Sequence, residues 1–140
     1  MAAIEYKIDS AGHLREPNLH DANLLSVECA QSDAIFKFEL VNGGIVQIRF
    51  LDVDQMVCHD FRHGNIVLDV TVDHRKRLSG KELEMLFTPP LAAIDAHQVH
   101  LSKVKDRIER GEMMLVTIAP SYGCEAMIYC ASVNFDLVES

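Results

Sequence analysis

The 140-residue sequence lacks the features that mark several large classes of protein. No apolar run approaches the ~20 residues that a membrane-spanning helix needs. The opening stretch, "MAAIEYKIDSAG", has neither a basic start nor a continuous apolar segment, so it does not predict a signal peptide. No repeat, low-complexity tract or linker interrupts the chain, and its length predicts a single domain over residues 1–140.

Positive charge is also scarce. Thirteen Lys and Arg residues stand against 21 Asp and Glu residues, which gives a net charge of −8 at pH 7. Because nucleic acids and anionic membranes repel such a chain, we expect neither as a partner. The one basic run, "HRKR" at residues 74–77, has no interleaved aromatic residues. It is interpreted as a solvated turn, with phosphate binding as the alternative.

The four cysteines form no C-x-x-C pair, and three of them lie in or beside apolar stretches, where thiols serve as small core residues. With no export signal, we expect a reducing, cytoplasmic location. There is no G-x-S-x-G motif, no glycine-rich phosphate loop and no EF-hand loop. The sequence therefore predicts no catalytic residue, no cofactor-binding residue and no cofactor.

Alternation of apolar and polar residues with period two predicts about seven strands. They cover residues 4–8, 25–29, 36–40, 46–50, 66–72, 114–118 and 127–137. A three-residue loop at residues 42–44 would pair apolar with apolar positions, placing Phe38 opposite Ile48 and Phe36 opposite Phe50.

Two helices are predicted between residues 79 and 110. Ser79 and Glu82 form an S-x-x-E capping box at the start of a short helix. After Thr88-Pro89-Pro90, a long amphipathic helix over residues 91–110 ends at Gly111. Its apolar stripe consists of Leu91, Ile94, Leu101, Val104 and Ile108. We therefore predict an α+β fold. It is a mainly antiparallel sheet, in a sandwich or partly closed barrel, with the long helix packed on it and the short helix beside it.

The stretch "HDFRH", residues 59–63, is the strongest candidate for chemistry. On a helix, His59 and His63 would be about 6 Å apart and could share a metal, as in zincins. In a strand the same spacing is about 13 Å, which prevents sharing. A helix capped by Asp54 is one alternative, but the Gly64-Asn65 turn signal favours a strand or irregular structure.

A two-residue turn at Gly64-Asn65 would place His59 opposite Val70. His59 is then predicted to be packed and neutral, His63 to be more exposed, and no metal to be bound. A second H-D dipeptide, at His20 and Asp21, invites comparison with metal-dependent phosphohydrolases. It lies in strand-rich sequence, so the two have only the His-Asp dipeptide in common.

One resemblance bears on function. The stretch "PNLHDANLLSVEC", followed by a phenylalanine-rich hairpin and "GNIVLDV", resembles small bacterial β-rich proteins with a Leu-His-Asp-Ala opening, some of them similar to immunity members of toxin systems. The resemblance covers the first half of the chain and implies no catalytic residues. We expect an acidic binding domain for a protein or small-molecule ligand, with a homodimer as a further possibility. The alternative is an enzyme with a metal or acid/base site built from His20, Asp21, His59, Asp60 and His63.

Overall fold

The computed structural model describes residues 1–75, 78–87 and 94–139. Within this part of the chain there are eleven strands. They are β1 (Ala2–Ile4), β2 (Lys7–Ile8), β3 (Leu14–Glu16), β4 (Asn23–Ala30), β5 (Asp33–Glu39), β6 (Ile45–Leu51), β7 (Gln55–His59), β8 (Ile66–Thr71), β9 (Met114–Tyr122), β10 (Glu125–Cys130) and β11 (Ser132–Glu139).

Two helices, α1 (Gly80–Leu86) and α2 (Ile94–Glu109), connect β8 to β9. The predicted capping box is present, because the backbone N–H of Ser79 donates to the Glu82 carboxylate at 3.1 Å. The predicted start of the long helix and the Thr-Pro-Pro segment before it lie outside the described residues. None of the helices that the structure describes is long and apolar enough to cross a membrane.

The strands confirm an α+β fold that is mostly antiparallel sheet. Nine of them form one sheet in the order β1-β11-β6-β5-β4-β8-β9-β10-β7, and β2 pairs with β3 in a small second sheet. All of these pairs are antiparallel. In the part of the chain that is described, the large sheet has two end strands, β1 and β7, which do not pair with each other, so it is not a closed barrel.

Strands β9 and β10 are apolar on both faces, and each face is buried in a different core. Val116, Ile118 and Ile128 point into the main core, where the phenylalanines of β5 and β6 also lie. Leu115 and Tyr129 point to the other side, into a second core formed with both helices. The helices contribute Leu83, Leu86, Leu101, Val104 and Ile108 to this second core.

The β5–β6 hairpin has a loop of the predicted length in a different place. Leu40 and Gly44 pair through the N–H of Leu40 (2.7 Å), so the loop is residues 41–43 rather than 42–44. Gly43 takes the left-handed conformation (φ 92°), and the N–H of Gly44 donates to the Asn42 side chain. The predicted register is therefore wrong by two residues, although the correct face is buried. Phe38 lies opposite Val46, and Phe36 lies opposite Ile48.

Strict alternation over residues 66–72 predicts that Leu68 and Val70 share the buried face of β8, and this is wrong at the start of the strand. The register shifts between Ile66 and Val67 and again between Val67 and Asp69, as at β-bulges. Val67 is consequently buried, whereas Leu68, which the alternation predicts to be inside, is 49% exposed. The alternation holds again from Val70 onward, because Val70 is buried as predicted.

Candidate functional site

The "HDFRH" segment begins at the end of a sheet-edge strand and continues as a loop. His59 is the last residue of β7 and pairs with Glu125 of β10. Asp60 has a φ of 62°, in the left-handed region, and the strand stops before it. The helical alternative is therefore wrong, and the expected strand geometry extends only as far as His59.

The predicted pairing of this segment is also wrong. β7 pairs with β10, whereas β8 pairs with β9 and, at one position, with β4. Because β9 and β10 stand between β7 and β8, the connecting chain crosses the end of the β9–β10 hairpin instead of turning straight back. His59 is consequently exposed rather than packed against Val70, and His63 is exposed as expected.

His20 and Asp21 lie in a turn before β4, with exposed side chains. His20 Nδ1 is 2.8 Å from the Leu68 carbonyl oxygen, and its Nε2 is 3.6 Å from the Asp21 carboxylate. His20 thus lies beside β8, whereas His59 lies on β7, and two strands, β9 and β10, separate β8 from β7 in the sheet order. Among the residues that the structure describes, no three His, Cys, Asp or Glu side chains form a group that could hold a metal ion. The five candidate residues are therefore not assembled as one set of ligands.

A cluster that the sequence does not predict joins β8 to the residue before β3. His13 Nδ1 is 2.8 Å from the Asp69 carboxylate and 3.1 Å from the Thr71 hydroxyl. A catalytic triad needs its nucleophile and its acid on different nitrogens of the imidazole. Here both contacts are made at the same nitrogen, so the arrangement ties two segments together and does not form a triad.

The basic run at residues 74–77 is only partly a surface feature. His74 is buried, with Nε2 3.0 Å from the Thr117 hydroxyl, so the interpretation as a solvated turn is wrong for this residue. Arg75 is exposed and bonds the Asp73 carboxylate at 2.8 Å, and this bond holds the pKa of Asp73 below its ordinary value. The other two residues of the run lie outside the described part of the chain.

Asn65 holds the loop after β7 in place. Its buried side chain accepts hydrogen bonds from the backbone N–H groups of Arg62 (2.8 Å) and Cys124 (3.0 Å). It donates to the carbonyls of Leu24 (3.2 Å) and Arg62 (2.8 Å). One amide therefore joins the loop to β4 and to the turn between β9 and β10, using both of its N–H donors and both lone pairs of its oxygen.

Gly123 allows this close packing. It has a φ of 86°, and a Cβ at this position would lie 2.5 Å from Asn65 Oδ1 and 2.8 Å from the carbonyl oxygen of Gly64. Real Cβ atoms do not make such contacts, so the β9–β10 turn needs glycine here. The Gly64-Asn65 dipeptide marks the segment that contains this network. The sequence pattern does not predict that the Asn65 side chain is buried and joins several segments by hydrogen bonds.

Large side chains are exposed around this buried asparagine. Leu25 is 44% exposed, Phe61 47% and Tyr122 55%. The guanidinium of Arg62 lies 5.7 Å from the centre of the Tyr122 ring and donates to the Asp60 carboxylate at 2.9 Å. We term Leu25, Phe61, Arg62 and Tyr122 the Phe61 face.

β4 leaves β8 soon after it begins. The two strands share one pair, Asn23 with Ile66, and the register of β4 then shifts between Leu24 and Ser26. This bulge exposes Leu25. Beyond it, β4 faces an apolar groove of about 420 Å³, which is lined by Leu25, Ser26, Val27, Cys58 and Phe61.

Two of the cysteines meet beside this groove. Cys58 lies on β7 and Cys124 lies just before β10, which pairs with β7, and the interaction between the two thiols raises the pKa of Cys58 while lowering that of Cys124. Burial raises the pKa of Cys58 further. All four cysteines are free thiols. The interaction is not predicted from the sequence, because β7 and β10 are brought together only by the topology of the sheet.

No family model matches the chain, and neither a curated protein nor a solved structure matches it. Exposed apolar, aromatic and cationic side chains on a loop fixed by buried hydrogen bonds are suited to recognition of another molecule.

Proposed function

We propose that this protein is a small acidic interaction domain that works by binding a protein partner and not by catalysis. The observation that carries the proposal is the Phe61 face. Leu25 and Phe61 line one groove there, and Arg62, the next residue in the chain, lies over the exposed ring of Tyr122. Aromatic residues and arginine are enriched in protein interfaces and among the residues that dominate binding energy, and large apolar side chains exposed together mark interaction sites.

The buried bonds of Asn65 support this interpretation. A loop that is ordered before binding loses less conformational entropy when a partner arrives, which strengthens binding. Asn65 bonds both the N–H and the carbonyl of Arg62, so the backbone that carries Phe61 and Arg62 is held on each side.

The charge and the resemblance noted above fit the same role. A net charge of −8 favours a basic partner through electrostatic steering and complementarity. Immunity-like proteins that neutralise such a partner need a binding face and no catalytic group. Cytoplasmic residence is part of the proposal.

We also propose that the large sheet folds back on itself as two packed layers covered on one side by the long helix. β6 continues into β7 after three residues, and β10 continues into β11 after Ala131. Each of these two continuous stretches of chain begins in one part of the sheet and ends in the other. Side chains from both parts meet in the main core.

The experiment compares partner capture by the wild type, Phe61→Ala, Tyr122→Ala and a control, Val41→Ala. Val41 is 77% exposed, lies in the β5–β6 loop and belongs to neither the Phe61 face nor the lining of the groove. A partner captured from the native cells is identified, and its Kd is measured for each variant. Loss of one central aromatic side chain should weaken binding by about tenfold or more, whereas the control should bind as the wild type does.

Equal affinity of all four proteins would contradict the proposal. The alternative enzyme makes a different prediction, which the same purified samples test. A stoichiometric zinc, iron or manganese ion that is lost from both His59→Ala and His63→Ala would favour the enzyme.

A further inference from the structure

Two unpaired strand edges border the groove beside the Phe61 face. In the described part of the chain, β7 is the end strand of the large sheet and pairs with β10 alone. β4 pairs with β5 along its whole length, but on its other side it pairs with β8 at Asn23 alone. Within the described residues, no backbone hydrogen bond joins residues 25–30 of β4 to β7.

Residues of both strands line the groove. Leu25, Ser26 and Val27 come from β4, whereas Cys58 comes from β7 and Phe61 from the loop after it. The five residues of β7 extend over about 16 Å, which is the length of a typical strand. Backbone N–H and C=O groups on both sides are thus available to a chain lying between them.

Charged side chains of both signs flank this groove. Glu28 lies on β4 and Asp60 directly follows β7, and both are exposed. Arg62 already bonds Asp60, and Lys37 of β5 lies opposite Ser26. These four charges balance locally, so the net charge of −8 of the whole chain is what favours a ligand with both apolar and basic side chains.

We propose that this groove, between residues 25–30 of β4 and Gln55–His59 of β7, binds an extended segment of a partner protein as an added β-strand. The proposal rests on the proposed function and names the chemistry of the partner. Because strand side chains alternate between two faces, the segment carries apolar residues on the face toward the groove and Lys or Arg on the other. Its backbone pairs with an edge of β4 or β7, and the net charge of −8 favours a basic segment over an acidic one.

The first test uses synthetic peptides on the full chain. The probe is a short capped peptide that alternates valine and lysine. One control replaces each lysine with glutamate, and a second carries N-methyl groups on alternate backbone nitrogens along one edge. The lysine peptide should bind, and each control should bind about tenfold more weakly or less, because one loses charge complementarity and the other loses backbone hydrogen bonds.

The second test locates the peptide by hydrogen exchange of backbone amides. Binding should slow exchange in residues 25–30 and in β7. The internal control is β1, the strand at the other end of the sheet, whose exchange should not change. Equal protection at β1 and β7 would mean general addition to strand edges and would overturn the proposal. Slow exchange of both groove edges before any peptide is added would also overturn it, because the edges would already be paired.

A variant separates this proposal from the function on which it rests. Phe61→Ala should weaken peptide binding by about tenfold, since Phe61 lines the groove, and Val41→Ala should have no effect. A native partner that requires Phe61 and Tyr122 but leaves the groove amides unprotected would keep the proposed function and refute strand addition. Protection that depends on protein concentration without peptide would show that the occupant is a second copy, which would likewise refute it.

Discussion

Asn65 shows how one residue can position a surface that it does not itself form. Within the described residues, four polar side chains are buried, namely Gln47, Asn65, His74 and His97. A buried amide is costly unless it is hydrogen-bonded, so the position of Asn65 is set by its partners. Those partners lie on β4, on the loop after β7 and beside Gly123, far apart in sequence.

The first prediction concerns this amide. Asn65→Ala should lower the free energy of unfolding by about 2–4 kcal/mol, because it leaves several buried backbone groups without partners. The control is Asn42→Ala, at an exposed turn where the side chain accepts one hydrogen bond, and it should cost less than about 1 kcal/mol. Urea denaturation of both variants measures the difference. Equal costs would mean that the network around Asn65 contributes nothing beyond one turn bond.

Asp33 gives a prediction about pH. The backbone N–H of Asp52 and the guanidinium of Arg49 both donate to its carboxylate, and they hold its pKa below the ordinary value of 3.8. A carboxyl with a lowered pKa stabilises the folded state above its unfolded pKa, and this contribution is lost as the pH falls through the folded pKa. Asp33→Asn should therefore be less stable than the wild type at pH 7, and the difference should shrink below about pH 4.

Unfolding free energies measured from pH 7 to pH 2 test this expectation. Glu39→Gln removes one negative charge from an exposed position on β5 and serves as the control for net charge. A gap between Asp33→Asn and the wild type that stays constant down to pH 2 would show that the carboxylate bonds do not supply the stability.

At the scale of elements, local signals predict the ends of helices and the lengths of turns, but not which strands pair. The capping box at Ser79 and the glycine after α2 depend on neighbouring residues only, so the sequence shows both. The loop of the β5–β6 hairpin has the predicted length, but two adjacent glycines gave two possible positions for it. Alternation of apolar residues cannot separate registers that differ by two, because both bury the same face.

The position of that loop leads to the third prediction. Gly43 has a φ of 92°, and a Cβ there would meet nothing within 4 Å. Gly43→Ala should therefore cost about 1–2 kcal/mol, from backbone strain alone. Gly64 is a matched control, because a Cβ there also meets nothing within 4 Å and its φ is not positive. Gly64→Ala should change stability by less than about 0.5 kcal/mol. Thermal or urea unfolding of the two variants distinguishes them, and a larger loss in Gly64→Ala would mean that the left-handed position is misplaced.

For the whole molecule, the hydrophobic pattern predicts the fold class but not the site. Period-two and helical stretches are enough to predict an antiparallel sheet with two helices. The Phe61 face depends on β7 pairing with β10 and on the bulge in β4, and both are long-range arrangements. A hairpin between β7 and β8 is the simplest local solution for residues 55–71. It fails because the β9–β10 hairpin, which follows the helices in the chain, lies between the two strands.

The shared strands β9 and β10 lead to the last prediction, that both cores unfold together. Leu115 and Val116 are neighbours in the chain but belong to different cores. Unfolding of either core therefore exposes one face of the same two strands to water. Ile108→Ala, in the helical core, should cost about 2–5 kcal/mol. Tyr129 is buried in that core, so tyrosine circular dichroism in the near ultraviolet reports on the helical core when Tyr6 and Tyr122 are replaced by Phe in both proteins. Far-ultraviolet circular dichroism reports on the sheet. Both signals should shift to the same lower midpoint in Ile108→Ala, and two separate midpoints would show that the helical core unfolds independently of the sheet.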